Sequence, residues 1–491
     1  MLRLNSSFKL KIMITFLGAF MNLQNANAGV APKLGYVPQS FPRDIIKINQ
    51  FAEHVLLAQI LEPLVDADRF GNMTRGIAER WSVSQDGKTI VFFIEKGQLF
   101  SNGNPIRAKD VKYSINRHIA ENTQSSNFLK SIKEVKETAP YEVTMILSEA
   151  NVAILKALSR DHLGIVPDGW TFDSKSIEPY IGSGPYRLVK SEGKWYFVKN
   201  DRHSKAAHVT IPNWELVYFA DDATLSVGKE IPDYVPMASQ PIFEELTKLS
   251  EEKKSPIQSK EQTSFVQTSL WWHPTGKHYG STEMKSRMMA FLDELVDIKT
   301  KNLKFQRATG IVPVGISGYL PERVKFEKPE IQKSTMKEAL SVAVVGAFDF
   351  VFEGEEVKKL ADGYGLEVNV INIKPIDIGT ISSKKPDVVM AAWAGGFNDP
   401  EGFLPLLNQL LGVDFVEYLG DLRPIYLQAR VEQDWSKRSD LFRSFNKKIV
   451  EQKRMVPGWK VPMYAVSRSG LTEENIGFRY TPRLINVKYT K

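Results

Sequence analysis

Hydrophobic and polar positions fall into successive textures along this chain. From Gly29 to about Gln262, short β-branched and aromatic runs alternate with Gly, Pro and Asn turns. Ile90-Val91-Phe92-Phe93-Ile94 reads as a strand entered from the turn Gln85-Asp86-Gly87-Lys88, and Asn102-Gly103-Asn104-Pro105 as a second turn. Ala108–Glu121 predicts a helix, because Val111, Ile115 and Ile119 recur at helical spacing and form one apolar stripe. Trp195–Lys199 and Trp214–Phe219 read as further strands. The main break comes at Glu244–Thr263, rich in Lys and Glu and interrupted by Pro256, which predicts a helix end and a surface loop joining two domains.

Beyond the break the period changes. Met284, Met288, Phe291, Leu292 and Leu295 share one helical face. Leu340–Val345, Leu366–Ile373 and Pro386–Trp393 read as buried strands, with a helix at Glu355–Asp362 between the first two. Strand, helix and strand at that spacing predict an α/β layer with parallel pairing. Asp399-Pro400 opens a helix, the Asp capping free N–H groups and the Pro taking the first turn. A last amphipathic helix carries Leu441, Phe442, Phe445, Ile449 and Val450, and Arg479–Lys491 reads as strand.

Composition narrows the chemistry. The 491 residues are too many for one core and imply two or three domains. There is no cysteine, which excludes disulfides, thiolate nucleophiles, cysteine zinc sites, iron–sulfur clusters and cysteine-linked lipids. The formal net charge is +7, and its basic runs, such as Lys253-Lys254 and Lys447-Lys448, are short and interleaved with Glu. They read as solvated helix faces rather than a nucleic-acid surface. Arg3, Lys9 and Lys11, the apolar-leaning run Ile12–Met21 and Ala26-Asn27-Ala28 have the order of a signal peptide cleaved after Ala28. Removing its three cations leaves a mature charge of +4.

Motifs for catalysis are missing. Gly182-Ser183-Gly184-Pro185 lacks the Gly-Lys-Ser/Thr of a phosphate loop and the third glycine of a dinucleotide fingerprint. Gly315–Gly318 has the wrong spacing for a nucleophile elbow, and Ser334-Thr335-Met336-Lys337 matches Ser-x-x-Lys at a length expected by chance. The pairs His203/His208 and His273/His278 are five apart, a spacing that does not share a helical face and comes with no carboxylate cluster. The expectation is no enzyme, no cofactor and no metal.

Several blocks, in order, resemble the bacterial family 5 extracellular solute-binding proteins, the dipeptide-, oligopeptide- and nickel-binding group of ABC importers. They are Ile60-Leu61-Glu62-Pro63-Leu64, Gly76-Ile77-Ala78-Glu79-Arg80-Trp81, Ser84–Lys88, Phe100–Pro105 and Ala108-Lys109-Asp110-Val111 with Ser114. Downstream come Gly182-Ser183-Gly184-Pro185-Tyr186, Ile311-Val312-Pro313 with Gly318-Tyr319, Trp393 with Asp399-Pro400, and Val456-Pro457. The resemblance implies an α/β protein of two-lobed periplasmic binding protein-like fold (type II, cluster C-like). It has a mixed-sheet lobe I bearing an extra subdomain, and an α/β lobe II. On that pattern residues 1–28 are signal peptide, 29–262 lobe I with an inserted subdomain at about 70–180, 263–460 lobe II, and 461–491 the return to lobe I.

The implied function is a periplasmic substrate-binding protein that captures a peptide-like or other small solute by hinge closure. Its implied partners are that solute and ABC permease subunits at the inner membrane; no nucleic acid is expected, and the protein is expected to be a monomer. With no cysteine after the cleavage point, the chain is expected to lack a lipid anchor. Peptide-binding relatives carry an Asp that pairs with the ligand's α-ammonium, and here the aligned position in Trp393-Ala394-Gly395-Gly396-Phe397-Asn398-Asp399-Pro400 is Gly396. Candidate ligand contacts are Trp393, Gly395, Gly396, Phe397 and Asn398 from lobe II, and Tyr36 and Phe41 from lobe I. Trp271 and Trp272 replace a small strand end of the family; one of them fills the cleft and limits ligand size, or both pack the hinge. Gly182 and Gly184 are expected to form a turn, and Asp399 to cap a helix. The competing reading is a degenerate solute-binding fold acting as an interaction, sensor or chaperone protein with little ligand affinity.

Overall fold

The computed structural model describes residues 31–489 except 37–40, 49–50, 69–71, 122–125, 127, 152, 219, 222–225, 229, 263–265, 328, 331–336, 347, 395–398, 405–406, 469 and 474–481. The expected leader, residues 1–28, lies outside them. In chain order the larger elements begin with strand β1 (Lys33–Tyr36) and helix α1 (Phe51–Ile60). Four strands and a helix then form the subdomain: β2 (Ala78–Val83), β3 (Thr89–Ile94), α2 (Ala108–Ala120), β4 (Ile132–Ala139) and β5 (Glu142–Leu147). Lobe I resumes with β6 (Tyr186–Ser191), β7 (Lys194–Lys199), β8 (Asn213–Tyr218), β9 (Tyr234–Ser239), α3 (Gln240–Glu252) and β10 (Ile257–Gln262). Lobe II contains β11 (Val266–Trp272), α4 (Thr282–Leu303), β12 (Glu338–Val345), α5 (Glu355–Gly363), β13 (Leu366–Ile373) and β14 (Val388–Ala394). It ends with α6 (Arg423–Val431), α7 (Trp435–Glu451) and β15 (Met455–Lys460), and β16 (Met463–Arg468) lies back in lobe I.

Three sheets organise these elements. Lobe I is a seven-stranded mixed sheet in the order β10-β16-β9-β1-β8-β7-β6. Lobe II is a five-stranded sheet, β13-β12-β14-β11-β15, in which β12 runs parallel to both β13 and β14. The subdomain is the antiparallel sheet β2-β3-β5-β4. In β3 and β5 every second residue is buried, so one face packs against α2 and the other stays open. In lobe II both faces are covered, so consecutive residues enter two separate cores. Ala343, Val389 and Trp271 enter one, and Val342, Val344, Met390 and Trp272 the other.

The patterning succeeds where one face is fully covered and fails at the edges. On α4, Met284, Met288, Phe291, Leu292 and Leu295 are all buried. On α2, Val111 and Ile115 are buried but Ile119 is 37% exposed; His118 completes the inner face instead. The polar stretch expected as a helix end and a surface loop does end a helix, α3, but strand β10 stands where the loop was expected. Edge strand β10 pairs with β16 on one side only, so a polar sequence serves it well. Of the C-terminal segment expected as strand, Val487–Tyr489 is strand and Leu484–Asn486 is a short helical turn.

The Gly182–Tyr186 block has a different role from the one expected. Neither glycine needs a positive φ; they allow backbone to lie against the end of α1. A Cβ on Gly182 would stand 2.1 Å from the Ile60 carbonyl oxygen, and one on Gly184 would stand 2.6 Å from the Ile60 carbonyl carbon. Between them, Ser183 Oγ accepts from Glu62 N–H (2.9 Å) and donates to Ile165 C=O (2.9 Å). Because the obstacles are backbone, Gly184→Ala should cost about 1–3 kcal/mol or more, read as a fall in the urea midpoint. An unchanged midpoint would show that this seam can give.

Glu62, in the same block, is buried and bonded to His203 Nε2 and Lys205 Nζ, each at 3.0 Å. Burial alone would push its carboxyl up, but those two partners hold it at about 2. A second group of histidines gathers where α1, α2 and the turn Asp161–Leu163 meet. The His54 and His162 rings are 4.5 Å apart, the His118 and His162 rings 6.4 Å, and Arg160 Nε donates to His162 Nε2 at 3.1 Å. All three histidines are buried. Their sequence separation hid this cluster, since only tertiary packing brings the three elements together.

Candidate functional site

Two strand-to-strand crossings join the lobes. The chain leaves lobe I between β10 and β11, and returns through Val461–Pro462 between β15 and β16. The crossings run side by side: Gln262 pairs with Met463, Gln267 pairs with Lys460, and Val461 N–H donates to Val266 C=O at 2.9 Å. Two lobes joined only by two such neighbouring strand connections are arranged as hinge-bending proteins are.

The strand registers determine what faces that hinge. In lobe I, β1 is parallel to β8 and β9, so Tyr36, Tyr218 and Ser239 end on the same edge. Ser239 pairs with Met463, the first residue of β16 after the return crossing. In lobe II, the parallel strands β12, β13 and β14 end at Val345, Ile373 and Ala394, and Ala394 pairs with Val266, the first residue of β11. The carboxyl ends of both parallel sets therefore adjoin the hinge, and the crevice outside such ends is where open α/β sheets bind ligands.

Aromatic side chains line the lobe I edge. Tyr36 is half-buried and meets Tyr218 edge-to-face with centroids 6.1 Å apart. Tyr464, on β16, stacks on Phe243 at 4.3 Å and donates to Gln240 Oε1 at 2.7 Å. Burial raises both hydroxyl pKa values, helped at Tyr36 by Tyr218, so each is a neutral hydrogen-bonding group. Tyr218 and Tyr464 were missed by sequence reading, although an aromatic residue near the hinge-side end of a strand was the available signal.

On the lobe II side, Trp393 is the penultimate residue of β14, opposite Gln267. Gly395, Gly396, Phe397 and Asn398 lie outside the described residues. The chain resumes at Asp399, whose carboxylate accepts from Glu401 N–H (3.0 Å), the helix cap expected of it, although the helix is a single turn, Pro400–Gly402. The same carboxylate takes Arg438 in a two-pronged bond, 2.8 Å to Oδ1 and 3.3 Å to Oδ2, with both side chains fully buried. Arg438 also donates to the carbonyls of Ala429 and Arg430.

Two residues on, Glu401 is buried and accepts from Tyr426 O–H (2.6 Å) and Arg430 Nε (2.9 Å). Burial and the Glu401 charge push the Tyr426 hydroxyl far up. Glu401, Tyr426 and Arg430 form one wall of a cavity of about 190 Å³. Phe128, Ser131 and Asn151 of the subdomain form the facing wall. Among the described residues, no group of three or more His, Asp or Glu side chains could hold a metal ion.

Three expected contacts are placed elsewhere. Phe41 is 6% exposed and stacks on Tyr180 at 6.1 Å inside the lobe I core. Trp271 and Trp272 are 0% and 1% exposed, in the two opposite cores of lobe II. Trp271 packs edge-on against Phe415 and Tyr418, and Trp272 packs among the α4 methionines. Since β11 runs antiparallel to β14, position 272 pairs with Val388 at the strand end away from the hinge. Neither tryptophan fills the cleft or packs the hinge.

The fold is two-lobed and of the periplasmic binding protein type, with a mixed-sheet lobe bearing a subdomain and an α/β lobe. The model of the bacterial extracellular solute-binding proteins, family 5 (middle part), matches residues 72–272 of this chain. The chain is 30% identical over 155 residues to the nickel-binding periplasmic protein of Escherichia coli K12, a match that spans 30% of this chain and only 29% of that protein. It is 20% identical over 472 residues to the oligopeptide-binding protein OppA of Bacillus subtilis 168, covering 86% and 85% of the two chains. The crystal structure of a dipeptide binding protein from Pseudoalteromonas sp. SM9913 in complex with Met-Leu superposes with a TM-score of 0.74 at 16% identity, over 93% of this chain and all of that one.

Proposed function

We propose that this chain is the exported, ligand-capturing subunit of an ABC import system. It binds a small solute between its lobes and presents it to a permease in the inner membrane. The observation that carries this reading is the register placing the carboxyl ends of both parallel strand sets beside one two-stranded hinge. Closure around a ligand buries it on all sides, which turns modest contacts into micromolar or tighter affinity, about −8 kcal/mol. The residues proposed to meet the ligand are Tyr36 from lobe I, and Trp393 with Gly395, Gly396, Phe397 and Asn398 from lobe II. The division of the chain near residues 262 and 461 follows the two crossings, and the leader at 1–28 would carry it to the periplasm without a lipid anchor.

The ligand is proposed to lack a free α-ammonium held in the manner of peptide-binding relatives. Gly396 supplies no carboxylate, and the two nearest acids downstream are already committed, Asp399 to Arg438 and Glu401 to Arg430 and Tyr426. A charge-assisted hydrogen bond contributes about 1.5–3 kcal/mol. Gly396→Asp should therefore strengthen binding of plain di- and tripeptides about ten- to a hundredfold in calorimetry. Submicromolar affinity of the unaltered protein for plain peptides would sink this part of the reading. Thermal shifts across a broader solute set test the capture function itself, since a ligand raises the melting temperature by mass action. The reading as a degenerate binder draws less support from Trp271 and Trp272, because both side chains are buried in the two cores of lobe II.

A further inference from the structure

The lobes touch again away from the hinge strands, along a seam between the subdomain and the α6–α7 corner. Arg430, on α6, reaches Glu149 of the subdomain at 3.1 Å. Lys156, on the short subdomain helix Ile154–Ala157, places its ammonium 4.4 Å from the centroid of the Trp435 ring at the start of α7. Between them, the turn at Gly87 abuts Gln433: a Cβ on Gly87 would stand 3.2 Å from the Gln433 amide nitrogen and 3.0 Å from Ala150 Cβ. We propose that this seam is a clasp, in which the subdomain grips lobe II and sets what fraction of the molecules have the cleft shut.

The chemistry of the seam is that of a contact made to open. Arg430 is oriented from within lobe II before the clasp forms, because Glu401 holds its Nε and Tyr426 holds Glu401. Meeting Glu149 therefore costs little side-chain ordering, while Glu149 itself, 49% exposed, returns readily to water. Trp435 is also 47% exposed, and its ring is stabilised by a cation laid over it. Behind the charged rim lies the cavity of about 190 Å³ rather than a packed apolar surface. Polar, loosely packed seams of this kind permit domain motion, whereas large apolar ones do not. The hinge and the clasp thus enclose the cleft from two directions, and a ligand enters when the clasp lets go.

The absence of cysteine makes the test direct, since spin labels attach only where cysteines are introduced. Glu137→Cys on β4 and Lys448→Cys on α7 are exposed positions on the two sides, outside the seam. Their distance distribution, measured by pulsed electron resonance without any ligand, reads the shut and open populations whatever the cleft binds. Glu149→Gln and Lys156→Met should each lower the shut-to-open ratio about two- to fivefold, and the double variant about tenfold. The parent in 1 M salt should shift the same way, because the screening length there is about 3 Å. An unchanged distribution in the double variant overturns the proposal. So does a broadened one accompanied by a collapse of the melting temperature, since that would be unfolding rather than release.

Discussion

Acidification from pH 7 to pH 5 should destabilise the protein by roughly 4–6 kcal/mol, most of it from three histidines. His54, His118 and His162 are buried, and burial together with Arg160 (His54 and His162) or Arg117 (His118) disfavours their charged forms. Their pKa values fall from the ordinary 6.5 to about 3 for His54, about 4 for His118, and well below 6.5 for His162. With the folded value below the unfolded one, the unfolded chain takes up protons first. The stability is whole above pH 6.5 and drains away as pH falls through 6.5 toward 4, at about 1.4 kcal/mol per pH unit for each histidine. Urea midpoints at pH 7.5, 6 and 5 check this, and His118→Gln should reduce the slope by about one proton. A midpoint that does not move over that range would mean that the cluster opens to water. Arg160 links the cluster to Phe128, its guanidinium lying 4.5 Å above that ring, and Phe128 is in the cavity wall, so acid loosening begins next to the clasp.

Asp399→Ala should cost about 3–5 kcal/mol, the largest loss expected from a single substitution near the cleft. The change leaves the Arg438 guanidinium, which has no exposure, without the only carboxylate in the described structure with which it forms an ion pair, and it also removes the cap on Glu401 N–H. Water cannot replace the lost partner at a site closed on all sides. Replacing both residues, Asp399→Leu with Arg438→Met, should recover most of the loss, because the buried charge then disappears with its partner. Chemical denaturation of the two single variants and the double measures the coupling. A loss below about 1 kcal/mol for Asp399→Ala would show that Arg438 finds other company, the carbonyls of Ala429 and Arg430 being the nearest.

The two predictions rest on features of different legibility. That Asp399 caps a helix could be read from Asp-Pro alone, because capping is local. That it also neutralises a buried arginine could not, since Arg438 is 39 residues away on another helix. The histidines were passed over for the same reason: His54, His118 and His162 carry no shared spacing. Trp271-Trp272 misled in the opposite sense. Adjacent bulky residues on a strand suggest that one must project into a cleft, but a sheet covered on both faces buries both.

What the sequence by itself determined is the order of elements, a length too great for one core, the α/β character of its second half and, through its ordered blocks, a resemblance to the family whose model matches residues 72–272. These follow from local periodicity, turn chemistry and composition, each of which acts within a dozen residues. The spacing predicted parallel pairing within lobe II, but tertiary structure alone decided that the carboxyl ends of the parallel strands of both lobes adjoin one pair of crossings, since that depends on how distant strands are ordered in each sheet. It also decided which acids remain available near the cleft, which histidines share a pocket and where the subdomain meets lobe II. Those depend on side chains brought together from distant parts of the chain, and no spacing within a single segment encodes them.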